Sequence, residues 1–269
     1  MFKIFKNIIK DHIEYKNQIL KLAKADLVKT YRGAALGWAW AIIKPAVTIF
    51  VYWFAFQVGL RAGKDVNGYS FFLWLIAGLV PWFYMGDMIS YGTDAIARYK
   101  HLVNKMKFPV ATIPTFFSIS KYISNLILFG VVILLFIFNG YFPDIYYIQI
   151  PFYIILTFIF FTAWSLFASM LSCISKDFAN LVKSFVTAVF WLSGILWNPE
   201  TISIGWLKKI LMVNPVTYLV TGFRNCFINK VWFWEEPQTL LCFLALTAIM
   251  IILAVWAYKK LRKEIPDVL

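Results

Sequence analysis

The sequence predicts an all-α membrane protein: six transmembrane helices, an N-terminal amphipathic interfacial helix, and short re-entrant or interfacial helices before the last span. Three observations predict it. Of 269 residues, 61% are hydrophobic and only 14% charged, where a soluble domain carries roughly 25% charged residues. Six apolar runs each reach about 20 residues, the length a helix needs to cross the hydrocarbon core. The basic residues behind the net charge of +13 cluster at the ends of those runs, where lysine and arginine set topology and meet the anionic inner leaflet.

Residues Phe2 to Ala25 do not span. Phe2, Phe5, Ile8, Ile9, Ile13, Ile19, Leu20 and Ala23 recur at three- and four-residue steps with lysines between them, the pattern of a helix lying in the headgroup plane. The alternative is a soluble helix packed on a partner. The spans follow at Trp38 to Leu60, Ser70 to Gly92, Pro109 to Phe138, Ile150 to Ile174, Phe178 to Trp197 and Thr239 to Tyr258. Between the last two, Ile204 to Val213 and the segment from Asn214 and Pro215 onward are apolar, too short to cross, and punctuated by proline. Such pieces fit re-entrant or interfacial helices whose free backbone groups are buried against protein.

Lysine and arginine counts orient the chain. The N-terminal tail, the loop after the second span, the loop after the fourth and the C-terminal tail together hold 18, and the opposite connections hold six. By the positive-inside bias both termini are predicted to be cytoplasmic, which an even number of spans requires. The organisation is one permease domain over residues 1–269: an interfacial segment 1–37, a six-span region 38–258 and a cytoplasmic tail 259–269. The charged, amphipathic first 37 residues do not read as a cleavable signal.

Chemistry-bearing patterns are sparse. Cys173, Cys226 and Cys242 have no metal-like spacing, and His12 and His101 lie in basic segments without a readable catalytic arrangement. Gly59-Leu60-Arg61-Ala62-Gly63-Lys64-Asp65 imitates a phosphate-binding loop but is one residue short between its glycines, and it places Asp65 where a Mg²⁺-binding hydroxyl belongs. A nucleotide must therefore be hydrolysed on another chain if work is done. The basic excess is explained by topology, without nucleic acid.

Ionisable residues inside spans are costly and mark function. Lys44, Asp87 and Lys121 are the three here. Lys44 lies roughly 9 Å into the first span at 1.5 Å per residue, and Asp87 reaches the inner third of the second. Either the two pair, or Lys44 snorkels to the interface and Asp87 meets water. Lys121, about 18 Å along the third span from Pro109, either faces a polar cavity or lies in a span that starts later. Aromatic residues, 20% of the chain, suit either sugar-stacking surfaces or interface belts.

Specific residues carry a family resemblance. The stretch from Asp26 to Trp40, with Tyr31-Arg32 and Leu36-Gly37 ahead of Trp40, followed by Pro45, resembles the first-span opening of permeases that export polysaccharides with an ATP-binding-cassette partner. Ala77-Gly78-Leu79-Val80-Pro81-Trp82-Phe83 resembles that family's second-span motif, and Leu102 to Pro109 its cytoplasmic loop ending in Phe-Pro. Ser175-Lys176-Asp177 stands where the family often has Arg-Asp, and Asn214-Pro215 with Gly222-Phe223-Arg224 resembles its outer segment. Within the class, Tyr52-Trp53-Phe54, Gly59-Leu60-Arg61 and Phe108-Pro109-Val110-Ala111-Thr112-Ile113-Pro114 look most like the wall teichoic acid permeases of the TagG or TarG type; O-antigen and capsular exporters are the neighbouring possibility.

The resemblance implies a half-transporter. Two copies of this chain would join two ATPase chains, which hold the ATP and Mg²⁺, while this chain needs no cofactor. Its substrate would be a polyprenyl-diphosphate-linked polymer carried from the inner leaflet outward. The segment from Thr93 to Lys107 is expected to form a short helix seated in an ATPase groove, through Ala95, Ile96, Arg98, Tyr99 and Leu102, with Lys176 and Asp177 as a second contact. Lys24, Lys29 and Arg32, at headgroup depth, are expected to capture the diphosphate, since cations and especially Arg suit phosphate contacts. Gly33, Ala34 and Gly37 would permit close packing beside them. The competing classes are a membrane-embedded glycosyl- or acyltransferase, for which there is no Asp-x-Asp pair or outer histidine, and a secondary transporter, for which only Asp87 is a candidate carboxylate.

Overall fold

The computed structural model describes residues 1–33, 35–106 and 108–265. Ala34 and Lys107, and the side chain of Lys105, lie outside the described residues. The described chain is helical, its sole β feature an isolated bridge between Val66 and Tyr69. Twelve α-helices run in order: α1 Phe2–Glu14, α2 Lys16–Tyr31, α3 Trp40–Trp53, α4 Phe71–Ser90, α5 Ala95–Arg98, α6 Lys100–Met106, α7 Ile113–Phe138, α8 Ile150–Ile174, α9 Lys176–Leu192, α10 Gly205–Val213, α11 Pro215–Arg224 and α12 Pro237–Leu261.

Among the described residues, five helical runs are long and apolar enough to cross a membrane: Gly37–Gly59, Phe71–Asn104, Val110–Phe138, Ile145–Ile174 and Pro237–Leu261. The expected fifth span, Phe178 to Trp197, is not among these five; its residues form α9, Lys176–Leu192, and the turn that follows. With 17 residues α9 rises about 25 Å at 1.5 Å per residue, a little short of a full hydrocarbon thickness of roughly 30 Å. It still travels from one end of the bundle toward the other. Lys183, near its middle, pairs with Asp94 at 2.5 Å, and Ser193, just past its end, accepts from Asn214 Nδ2 at 2.8 Å.

The contacts define two ends. At the tail end, α1 packs on α12 and on the 3-10 turn Val110–Thr112, with His12 Nε2 2.8 Å from Thr115 Oγ1. The N-terminal helices and the end of α12 are thus on the same side of the bundle. At the far end Tyr141 donates to the Gly68 carbonyl at 2.8 Å and Lys230 pairs with Asp144 at 2.6 Å.

The expected interfacial helix is two helices broken at Tyr15. Its apolar residues are divided. Ile8, Ile19, Ala23 and Leu27 are buried, α2 lying along α7, while Phe2, Ile9, Ile13 and Leu20 stay exposed. The exposed set is what a headgroup layer would cover.

α4 is the central pillar, packed against α3, α7, α8, α9 and α11. Ser70 caps its start by accepting from Leu73 N–H, and Asp65 of the imitation phosphate loop accepts from Phe71 N–H at 3.2 Å. Asp65 therefore has a local structural role. The re-entrant expectation corresponds to α10 and α11. Asn214 caps α11 by accepting from Val216 N–H at 2.9 Å, Pro215 opens it, and Val216, Thr217, Leu219, Val220 and Phe223 are buried. At its end, Arg224 is buried with no carboxylate partner among the described residues. It donates to the carbonyls of Gly194 at 2.7 Å and Ile195 at 2.6 Å, and its guanidinium carbon lies 3.4 Å from the Trp74 ring centroid. Gly78 makes room for it: a Cβ there would come within 2.5 Å of Arg224 Nη2.

Candidate functional site

A cavity of about 760 Å³ opens at the tail end between α2, α3, α4 and α7. α7 contributes Lys121, Ser124, Asn125 and Leu128, which fall at i, i+3, i+4 and i+7 and so share one helix face. α4 contributes Phe83, Tyr84 and Asp87, α3 contributes Trp40, Lys44, Pro45 and Thr48, and α2 ends in Thr30 and Tyr31 on the rim. Arg98 of α5 and Tyr91 complete it.

Three cations, Lys44, Arg98 and Lys121, stand against one carboxylate, Asp87. Lys121 Nζ is 3.3 Å from Asp87 Oδ2, so the intramembrane pair joins α4 to α7. Of the two readings of Lys44 and Asp87, their pairing is not formed among the described residues. Lys44 and Asp87 do line one cavity, as their common depth suggested, but Lys121 sits on the face of α7 turned toward Asp87. Among the described residues Lys44 and Arg98 have no ion pair. Arg98 and Lys121 instead flank the rings of Tyr91 and Phe117, at 5.3 to 5.6 Å from the centroids; cations over aromatic faces are stabilised by the ring quadrupole. The excess positive charge and the hydroxyls of Thr30, Tyr31, Thr48 and Ser124 suit an anion, and the rings suit an apolar or sugar face.

Several supports hold this geometry. Tyr31 OH lies 3.1 Å from Ser124 Oγ, tying α2 to α7. Tyr84 OH joins Ser118 Oγ at 2.6 Å, which meets Thr162 Oγ1 at 2.7 Å. Asp26, buried on α2, accepts from Tyr99 OH and from Ser120 Oγ, the latter at 2.5 Å. A buried carboxylate is costly unless hydrogen-bonded, and these two donors bind α5 and α7 to α2.

The segment expected to seat in an ATPase groove is placed differently from that expectation. Ala95, Ile96, Tyr99 and Leu102 are buried in the bundle, because α5 and α6 continue the α4 run and α5 packs on α7 and α8. Ser165 Oγ donates to Gly92 O at 2.8 Å and Ser172 Oγ to Thr93 O at 2.5 Å, holding the connecting turn against α8. The apolar face is spent on this chain's own core, and the outward face carries Arg98, Lys100, His101 and Asn104. Lys176 and Asp177 are exposed at the start of α9 at the same end.

Lys24, Lys29 and Arg32 are exposed on α2 and its C-terminal edge, and none lines the cavity. Their neighbours Thr30 and Tyr31 do. Sequence reasoning missed Arg98 as a cavity cation, and Ser124 and Asn125 altogether. The signal was present: Lys121, Ser124 and Asn125 form a polar stripe at helical spacing in an otherwise apolar span.

Comparisons with known proteins agree with this architecture. Residues 17–228 match the family described as ABC-2 type transporter. A relative from Myxococcus xanthus, O-antigen export system permease protein RfbA, is 22% identical over 251 residues, covering 93% of each chain. Two Klebsiella pneumoniae proteins of the same name are 23% and 24% identical over 220 residues, covering 81% of this chain and 82% of theirs. With most of its length inside the matched region and its long apolar helices arranged as described, this chain is a multi-pass membrane protein and belongs to the ABC-2 type transporter family.

Proposed function

We propose that this chain is the membrane subunit of an exporter that moves a lipid-linked cell-surface polysaccharide, powered by ATP hydrolysis on a separate ATP-binding-cassette chain. The observation that carries the proposal is the tail-end cavity, whose three cations exceed its one carboxylate, in a chain of this family. An anionic lipid headgroup in the inner leaflet would meet such a cavity at its own depth. The related proteins are named for O-antigen export, which favours a substrate of the O-antigen or capsular kind over wall teichoic acid.

The remaining assignments follow from the same reading. The excess of lysine and arginine at the tail end supports a cytoplasmic side for both termini. Lys100, His101 and Asn104, with Lys176 and Asp177, are the exposed groups that would meet the ATPase; the buried Ala95, Ile96, Tyr99 and Leu102 would carry its movement inward, and Arg98 would bring it to the cavity. Lys24, Lys29 and Arg32 form a cationic approach that draws the diphosphate toward the cavity mouth. A second copy of the chain would cover the exposed apolar faces of α3 and α9, where Val47, Phe50, Val51, Leu181 and Phe185 lie bare.

The test is reconstitution of this chain with its partner ATPase in proteoliposomes supplied with lipid-linked polysaccharide. ATP-dependent transfer of the polymer to the protected face is expected, with an O-antigen-type polymer moved faster than teichoic acid. ATP hydrolysis unaffected by either polymer, with neither moved, would overturn the proposal.

A further inference from the structure

A second cavity, of about 270 Å³, lies between α3, α4 and α7 next to the cationic one, and Leu128 lines both. The two differ in chemistry. The first holds Lys44, Asp87, Arg98 and Lys121; the second is walled by aliphatic and aromatic side chains alone, among them Ile49, Trp53, Ile76, Val132 and Leu135. Along α7 the sequence of walls is Lys121, Leu128, Leu135, seven residues apart and so on nearly one face. The distance from first to last is about 21 Å at 1.5 Å per residue, somewhat more than half a hydrocarbon core of roughly 30 Å.

At the junction sits Asn125, 3% exposed. Its Nδ2 donates to the Val80 carbonyl at 2.7 Å, which fixes the amide, and its Oδ1 has no donor among the described residues. A buried acceptor left unpaired costs free energy, and a ligand hydroxyl or N–H at the cavity would satisfy it. α3, the outer wall, has only 6% of its apolar window buried, so little packing must be broken to widen the groove.

We propose that the two cavities form one amphipathic groove for the lipid anchor of the exported substrate. Its phosphate head meets Lys44, Arg98 and Lys121. Asn125 Oδ1 accepts from an O–H or N–H beside the phosphate. One apolar chain follows Leu128 to Leu135 between α3 and α7. The charge order matches such a lipid: cations at the tail end, then a single acceptor, then an apolar trough continuing toward the far end. The groove rests on the export reading for the identity of its lipid, and on the cavities themselves for its place.

The test uses the transporter complex in nanodiscs and a synthetic isoprenyl diphosphate with a photoreactive group in its chain. Labelling is expected in α3 and α7, concentrated at residues 131–135, and reduced by an unlabelled isoprenyl diphosphate. Leu128→Trp, which blocks the junction, and Asn125→Leu should each weaken labelling about tenfold, equivalent to about 1.4 kcal/mol. Leu126→Trp, on the exposed side of the same helix, should label like the unmodified chain. Labelling scattered over the lipid-facing sides of α9 and α12, or displaced equally by phosphatidylglycerol, means a bilayer lipid only and overturns the groove. If Leu128→Trp fails to assemble, the map of labelled residues in the unmodified chain decides. Groove labelling that persists in a complex moving no polysaccharide sinks the export reading alone. Export that continues with labelling outside α3 and α7 sinks the groove alone.

Discussion

α3 and α4 are both apolar, both interrupted by one proline, Pro45 and Pro81, and both part of helical runs long enough to cross a membrane, Gly37–Gly59 and Phe71–Asn104. Yet 6% of the α3 window is buried within the chain against 72% of the run that starts with α4. The difference lies in what each helix offers its neighbours. α4 presents Ala77 and Gly78 where Arg224 and α11 close on it, and hydroxyls on α8 grip the turn at its tail end. α3 presents Val47 and Val51 outward, and only a narrow inner face meets α4 and α7. Apolar length decides whether a segment crosses; small residues and backbone acceptors decide whether it becomes a pillar or a movable wall. The cavity and groove lie on the seam between the two kinds.

The largest effect is expected at the pillar. Gly78→Leu should cost about 4 kcal/mol or prevent assembly, because it displaces a buried guanidinium from its carbonyl acceptors and leaves the charge uncompensated. Thermal unfolding of the detergent-solubilised chain reads this. A change no larger than that of an α3 surface substitution would erase the contrast.

Next comes the pair across the seam. Asp87→Leu should cost about 1–2 kcal/mol, less than a fully buried pair, because the two side chains are 17% and 39% exposed. Asp87→Leu with Lys121→Leu should recover most of it. A coupling found instead between Asp87 and Lys44 would tie α3 to the pillar and weaken the case for a movable wall.

A somewhat smaller loss, about 1 kcal/mol each, is expected for Tyr99→Phe and Ser120→Ala, which remove one donor apiece from Asp26. If α5 carries ATPase movement toward the cavity, polymer stimulation of ATP hydrolysis should fall more in Tyr99→Phe than in Ser120→Ala. Equal stimulation in both would confine Asp26 to holding α2 in place.

The smallest stability effect belongs to the outer face of α3. Val47→Ala and Val51→Ala should change stability by no more than about 0.5 kcal/mol, as surface changes usually do. A cysteine at Val51 should nonetheless cross-link two copies in the membrane if a second chain covers this face; its absence would leave α3 facing lipid.

Much of this was legible in the linear sequence because it depends on segments one at a time. Apolar run length marked the long helices, Asn214-Pro215 marked the start of α11, and the interleaved lysines of the first 25 residues marked a surface-lying region. Depth was legible in part: counting residues placed Lys44 and Asp87 near one level, and one cavity holds both, while Lys121, counted as deeper, lines that cavity too. Azimuth was not. Which face of α7 turns toward α4 depends on how the helices pack, so the choice of Lys121 over Lys44 as the partner of Asp87 was made by tertiary structure alone. The same holds for α5: its apolar residues suit a partner's groove or this chain's own core equally well, and only the packing of α7 and α8 around it, with Asp26 waiting for Tyr99, turned them inward. Composition and spacing set how often and how deep the chain enters an apolar phase, since those are sums along one helix; the site arises between helices, where relative rotation decides which side chains meet.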